Sequence, residues 1–329
     1  MTKPVLFVTN HAPPFRVPAF QALHEREGVV FALIGGKVRH GGGGTLVDEA
    51  MPFPTVYPSQ RGVARLAASK RFRAVVAGLS GRVALPAAYA GARAGGVPFV
   101  LWATIWRHPR TPAHAASYLP MRHIYRHADA IATYGPHVSA YVRGKHPKGP
   151  VFEAPQSVDV DFWSAAAQPD RRGPFQILFA GRPAPEKGFD VLEAAADVGT
   201  LVVAQDRSPT EMRNLYAGSD VVVVPSVPTR DFLEPWGLVV NEAFHQGIPV
   251  IATDAVGAAA GGLVQHERTG LVVPAGDVQA LRAALHRLHD DAQLRARLGA
   301  AARQAVAAFT PRAWADGMAR ALRAAEGGC

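Results

Sequence analysis

Two doubly wound α/β domains, each built on a parallel sheet, are the fold class predicted by this 329-residue sequence. Three observations predict it. Short apolar runs such as Val5–Thr9 and Val221–Val224 have the length and uniformity of strands buried on both faces. Stretches with helical apolar spacing separate these runs, so the order reads βαβ, which a right-handed crossover closes into a parallel sheet. The polar, breaker-rich stretch from Gln168 to Pro174 then divides the chain into halves, each long enough for its own core.

In the first half, Val5 to Thr9 is a strand that Asn10-His-Ala-Pro-Pro terminates, and Phe15 to Glu27 has helical spacing at Phe15, Val17, Phe20 and Leu23. Val29 to Ile34 gives the next strand, ended by Gly35-Gly36. His40 and the glycines from Gly41 to Gly44 form a flexible loop, either a linker or a mobile loop near a ligand; without a following Gly-Lys-Ser/Thr it is no P-loop. Strands follow at Ala74–Leu79, Pro98–Trp102 and Ala130–Tyr134, with helices at Arg82–Gly95, Tyr118–His127 and Pro136–Gly144. His123 and His127 have the i, i+4 spacing that can hold zinc, but no Glu follows the first His and no third ligand is evident. Phe152 to Pro155 closes a first domain bounded at 1–157.

The second domain, 172–309, begins with the strand Ile177–Ala180 and continues with a helix at Phe189–Ala196, a strand at Thr200–Ala204 and a helix at Thr210–Ala217. After Val221–Val224, Pro225 and Ser226 lead into a loop reaching Glu234. Apolar spacing from Trp236 suits a helix with Pro235 in its first turn, and Gly247 stops it before the strand Pro249–Thr253. Thr269 to Pro274 is the last strand and turn, and Val278 to Val306 holds two amphipathic helices. Thr310 as N-cap and Pro311 at the first position open a final helix over 310–329.

Composition narrows the function. Lys and Arg exceed Asp and Glu by 35 to 26, a formal charge of +9, and the pI is about 10.0. The excess favours nucleotide diphosphates or an anionic membrane surface, unless it is only the solvated face of an Arg-rich chain. Nucleic acid is not an expected partner, because no binding motif or aromatic interleaving accompanies the charge. The single cysteine, Cys329, fits a reducing cytoplasm, no apolar run is long enough to span a membrane, and the N-terminus reads as a strand rather than a signal peptide.

Two carboxylates, Glu234 and Glu242, bracket the helix predicted from Trp236, and the backbone N–H groups of Trp236, Gly237 and Leu238 lie at its mouth. Amides for a phosphate and carboxylates for sugar hydroxyls would suit such a pair; alone, the pair reads rather as a capped helix and one satisfied buried Glu, and it is the upstream context that reverses this. Upstream, FAGRPAPEKG places Arg182 and Lys187 on a strand-to-helix loop, where open α/β sheets bind ligands and two cations can flank a diphosphate.

Together these motifs resemble the C-terminal domain of retaining glycosyltransferases of family 4, which have the GT-B fold. The family pattern is a strand ending in Gly-Arg (Gly181-Arg182), a Lys-Gly (Lys187-Gly188), Pro-Ser (Pro225-Ser226), Glu-Pro-aromatic-Gly (Glu234 to Gly237) and a second Glu eight positions on (Glu242). The resemblance implies two Rossmann-like domains facing a central cleft, and a retaining, metal-independent sugar transfer from a nucleotide diphosphate donor, UDP- or GDP-linked. The acceptor would be a saccharide, a lipid-linked or a small-molecule hydroxyl, and the last helix would cross back onto the first domain. Arg182 and Lys187, with the amides of Gly237 and Leu238, would stabilise the leaving phosphate. Glu234 would hold sugar hydroxyls, Glu242 the ribose, and Gly257 would lie near the sugar, so Gly181, Ser226 and Trp236 also fall on the donor side. No cofactor and no metal is implied, the nucleotide diphosphate sugar being the donor substrate.

The chain departs from the family in three places. Its first strand-to-helix loop has Ala-Pro-Pro for the usual glycines and carries His11 and Arg16, the latter either an acceptor or phosphate contact or a surface helix residue. The strand end where relatives carry a cleft histidine has Trp102 to Thr104; His108 is the nearest substitute, and Trp102 is either an acceptor wall or core. Only Thr200–Ala204 reads as a strand where relatives have two strands and a helix, so base contacts do not carry over, with Gln205 and Asp206 the nearest polar residues. Asp159-Val-Asp161 looks like a metal-binding DxD, but relatives have a similar stretch between domains. A non-catalytic subunit of the same fold and a sugar-nucleotide 2-epimerase are the rival functions; a phosphorylase would need a cofactor lysine motif that is absent.

Overall fold

The computed structural model describes residues 2–36, 51–79 and 83–327. His40, the glycine run after it, Arg82 and Cys329 lie outside the described residues. The chain forms two compact units, the first comprising residues 1–108, 112–157 and 310–329, the second 109–111 and 158–309.

The first unit opens with β1 (Val5–Thr9), α1 (Val17–Glu27), β2 (Val29–Leu33), β3 (Thr55–Val56), α2 (Gly62–Ala67) and β4 (Ala74–Gly78). It continues with α3 (Ala84–Gly95), β5 (Phe99–Ala103), α4 (Pro112–His127), β6 (Ala130–Thr133), α5 (Pro136–Arg143) and β7 (Val151–Glu153). The sheet runs β3-β2-β1-β4-β5-β6-β7, and all its pairs are parallel. Chain order reverses between β1 and β4, the place where such sheets open a crevice beyond their carboxyl ends. Some elements were not expected from sequence or differ in extent. β3 and α2 are too short to leave a periodic signal, and α4 begins six residues before Tyr118, with Pro120 inside it. Pro112 sits at the start of that helix, where its missing N–H costs nothing. The turn Pro14–Arg16 is 3-10, so α1 starts at Val17 rather than Phe15.

In the second unit come α6 (Val160–Ser164), β8 (Gln176–Ala180), α7 (Phe189–Ala195), β9 (Thr200–Ala204), α8 (Pro209–Gly218) and β10 (Val221–Val224). After them come α9 (Val239–His245), β11 (Val250–Thr253), α10 (Gly257–Ala260), β12 (Gly270–Val273), α11 (Val278–Asp290) and α12 (Ala292–Val306). The sheet order is β12-β11-β10-β8-β9, again parallel throughout. Its core joins Ile177, Val221, Val223, Ile251 and Leu271 of the sheet to Leu192, Leu285 and Leu298 of the helices. β9 is the edge strand, so this side of the sheet has one strand, as the sequence reads.

α13 (Pro311–Gly327) returns to the first unit. Thr310 caps it by accepting the Ala313 N–H at 3.0 Å. It lies against α1, β6 and β7, so close at Gly317 that a Cβ there would sit 2.2 Å from the Glu153 carbonyl oxygen. Its Trp314, fully buried, joins Phe7, Phe20, Phe31 and Trp102 in an aromatic core with neighbouring centroids 4.5–6.4 Å apart.

Candidate active site

The loop after β8 is shaped by two residues with little freedom. Pro185 sets the first dihedral of a 3-10 turn, Pro185–Lys187, and Gly188 then adopts φ +63° before α7. A Cβ on Gly188 would lie 2.1 Å from the Pro225 carbonyl oxygen, so this loop is pressed against the one after β10. The Val227 N–H donates to the Glu186 carbonyl at 3.1 Å and holds the two together. The contact puts the Lys187 ammonium 2.5 Å from Glu234 Oε2, to which the Ser226 hydroxyl also donates at 3.2 Å. Phe232 places its ring centre 5.1 Å from the same ammonium.

Glu234 is only 8% exposed, and a buried carboxylate needs such donors to offset the water it has lost. Its backbone carbonyl accepts the Gly257 N–H at 3.1 Å, and a Cβ on Gly257 would meet the Pro235 oxygen at 2.0 Å. Loops following β8, β10 and β11 therefore converge on one cluster of Lys187, Ser226 and Glu234. Arg182 stands apart from it, with 70% of its side chain exposed and Glu186 at 3.6 Å. Gly181, at φ 141°, donates its N–H to the Ala204 carbonyl at 2.9 Å and leaves open space above its Cα.

The helix expected from Trp236 begins at Val239. Gly237 has φ +88°, which no helix accommodates, so Pro235 to Leu238 form a turn and Glu242 lies one turn inside the helix. Gly237 and Leu238 make no N–H bond to a described residue, whereas the Trp236 indole is buried, donating to Asn241 Oδ1 at 2.7 Å and packing on Phe309. Glu242 is partly buried and accepts the Tyr216 hydroxyl at 2.7 Å. Burial pushes its carboxyl up to about 7, the hydrogen bond from Tyr216 acting in the opposite direction. Tyr216, Phe232 and Asn241 support the predicted residues but gave no sequence signal, since each is an ordinary apolar or polar position of its own element.

In the first unit the alternative of Arg16 as a surface helix residue is overturned. Arg16 is 5% exposed, its guanidinium sits 5.2–5.7 Å from the ring centres of Trp102, Phe15 and Tyr134, and burial pushes its pKa down. Trp102 is itself buried within the aromatic core. The His11 ring lies over Gly35, where a Cβ would approach it to 2.1 Å. His108 is held by the start of α4, its Nε2 being 2.8 Å from the His114 carbonyl and its ring 5.1 Å from that of Tyr118.

The remaining sequence candidates have structural partners. His123 and His127 stack at 4.2 Å, with Tyr89 and a helix carbonyl as hydrogen-bond partners, and among the described residues no three His, Cys, Asp or Glu converge as a metal site requires. Asp159 caps α6 by accepting the Phe162 N–H at 3.1 Å, within the second unit. Gln205 and Asp206 are exposed and bonded to each other at 3.0 Å.

Residues 158–291, nearly the whole second unit, match the family described as Glycosyl transferases group 1. Among curated relatives, the D-inositol 3-phosphate glycosyltransferase of Paenarthrobacter aurescens is 32% identical over 38% of this chain and 29% of its own length. The GDP-mannose-dependent alpha-mannosyltransferase of Mycobacterium tuberculosis is 31% identical over 54% of each chain. The alignments thus span from under a third to about half of these relatives. Whole-chain similarity is seen with solved structures. Anabaena HepE in complex with UDP and glucose has a TM-score of 0.75 at 17% identity, covering 98% of this chain and 99% of that one. Sucrose-phosphate synthase from Thermosynechococcus elongatus has a TM-score of 0.75 at 18% identity, covering 99% and 100%. The fold is that of the GT-B glycosyltransferases. The particular likeness within that class lies in the second unit, with the group 1 glycosyl transferases.

Proposed function

We propose that this chain is a glycosyltransferase, retaining in stereochemistry and metal-independent, of the family 4 type, which moves a sugar from a nucleotide diphosphate donor to an acceptor hydroxyl. The observation that carries the reading is the convergence of Lys187, Ser226 and Glu234 at the carboxyl ends of β8 and β10, inside the segment that matches the group 1 family. Departure of the nucleoside diphosphate is the difficult step, since two negative charges build on the leaving oxygens. Lys187 has three donors, so it can keep Glu234 and still meet a phosphate. Arg182, itself largely exposed and paired loosely with the half-buried Glu186, is free to swing onto the same diphosphate. The unused N–H groups of Gly237 and Leu238 add fixed dipoles to that charge. Two cations supply what a metal ion supplies elsewhere, which is the physical ground for metal independence.

Glu234, fixed by Lys187 and Ser226, holds sugar hydroxyls and supports the oxocarbenium-like centre. Glu242, braced by Tyr216, takes the ribose hydroxyls. No carboxylate is assigned as a covalent nucleophile; attack on the same face, assisted by the leaving phosphate, gives retention. Gly257 and Gly181 give the backbone its close approach, and Trp236 anchors the turn that presents the amides. The first unit supplies the acceptor side through His11, Arg16, Trp102 and His108.

The donor is UDP- or GDP-linked, and the relatives that use or bind such nucleotides support that range. Among the described residues no helix is long and apolar enough to cross a membrane. A cytoplasmic enzyme touching an anionic membrane peripherally fits α4, where Leu119 is 70% exposed beside Arg122; liposome flotation without binding would remove that part. The activity itself is tested by incubating the protein with UDP-glucose and GDP-mannose without acceptor. Slow hydrolysis of one donor, with its anomeric configuration kept, is expected; hydrolysis of neither favours a non-catalytic subunit.

A further inference from the structure

Arg16 is the only buried Arg or Lys among the described residues. No carboxylate of a described residue pairs with it. Its Nη1 is buried with no hydrogen-bond partner, and its Nη2 has only the Tyr134 hydroxyl, at a long 3.4 Å. The three aromatic rings around it offset part of the desolvation cost. They provide no counter-charge, and a buried charge left unpaired is strongly destabilising. The position of this cation matters. Arg16 follows β1 on the turn into α1, Trp102 lies on β5, and Tyr134 directly follows β6, so the guanidinium occupies the carboxyl end of the first unit's sheet, where its strand order reverses. α5 starts two residues after Tyr134 with no side-chain cap, so its positive dipole end lies at the same edge of the sheet.

We infer that the acceptor carries an oxyanion, a phosphate or a carboxylate, and that Arg16 is the residue that reads it. The inference rests on the glycosyltransferase reading, and it narrows the acceptor from any hydroxyl compound to an anionic one. A guanidinium fork fits either oxyanion through two parallel N–H donors. Engagement turns the guanidinium off the Tyr134 hydroxyl, and that long hydrogen bond is a small barrier to turning. The aromatic surroundings then strengthen the ion pair by excluding water. Neutral saccharides gain nothing from this residue.

The test uses the full chain and Arg16→Met, which replaces the buried cation by an apolar side chain of similar length. Thermal melting is followed with inorganic phosphate, glucose 6-phosphate, glucuronate and glucose, each with and without saturating UDP or GDP so that the donor site is occupied in one arm. The wild type should be stabilised by at least one of the phosphate or carboxylate probes and not by glucose, with an apparent Kd at least tenfold tighter than in Arg16→Met. A response to glucose 6-phosphate beyond that to inorganic phosphate assigns the oxyanion to a sugar phosphate, and a response to glucuronate alone assigns it to a carboxylate. Equal responses in both proteins, or none in either, overturn the inference. Should Arg16→Met not fold, Arg16→Lys takes its place; failure of both to fold assigns Arg16 to the core and also overturns it. Loss of the nucleotide response in the wild type would instead count against the donor reading, while the comparison of phosphate responses without nucleotide still decides the role of Arg16.

Discussion

Arg182 and Lys187 have the same proposed task and different surroundings, and this separates their predicted phenotypes. Arg182 is largely exposed with one loose carboxylate neighbour, so Arg182→Ala should leave the melting temperature within error and lower kcat by about 10²–10³. Lys187 also neutralises the buried Glu234, so Lys187→Ala should lose a similar factor in kcat and about 1–3 kcal/mol of stability. A denaturant melt beside a donor-hydrolysis assay checks both; unfolding of Arg182→Ala would contradict its assignment. Glu242 gives a pH signature. Its pKa is raised from 4.5 to about 7 in the folded chain, so between those values the folded state holds a proton that the unfolded state has lost. Its contribution to stability therefore falls as pH rises from about 4.5 to about 7 and is flat above, by at most about 3 kcal/mol and less where water reaches the carboxyl. Glu242→Gln should remove that slope. Because a ribose hydroxyl donates best to the ionised carboxylate, nucleotide affinity should rise through pH 7 in the wild type more than in the Gln variant, measured by calorimetric titration. The grouping of Lys187, Ser226 and Glu234 was legible because Lys-Gly, Pro-Ser and Glu-Pro-aromatic-Gly occur in fixed order after successive strands. Burial of Arg16 was not, because arginine is rarely buried and the three rings around it come from separate parts of the chain.

At the scale of elements, the strands were legible because runs such as Val221–Val224 are apolar throughout, and only a strand buried on both faces needs that. The start of α9 was not legible. Leu238, Val239, Ala243 and Phe244 continue a helical period across a turn whose break depends on the positive φ of Gly237, and a glycine in a sequence does not announce its dihedral. Glycines also make the sharpest element-level prediction. Gly188→Ala forces a Cβ against the Pro225 oxygen at a residue already at φ +63°, so the loops after β8 and β10 must separate. The variant should lose roughly 1–3 kcal/mol and most of its turnover, because separation pulls Lys187 from Glu234. A variant of unchanged stability and activity would show that this contact does not set the site.

For the molecule as a whole, alternation of strands and helices with a polar break predicted two parallel-sheet units, and the chain has them. The shortened segment around β9 was visible in the sequence as a missing strand and helix, and the second sheet has β9 as its edge. What the sequence left open is what fills the space where longer chains have base contacts, since that depends on exposed residues such as Gln205 and Asp206 without a fixed pattern.

The central claim, that the second unit binds a nucleoside diphosphate through Lys187, Glu234 and Glu242, is most directly tested by thermal shift. UDP, GDP, ADP, CMP and dTDP are each titrated with and without magnesium, against the wild type and Lys187→Ala. A ligand that binds only the folded chain must raise its melting temperature. One diphosphate is predicted to do so equally with and without magnesium, and much less in Lys187→Ala. No shift from any nucleotide at millimolar concentration, or a shift indifferent to Lys187, would contradict the account.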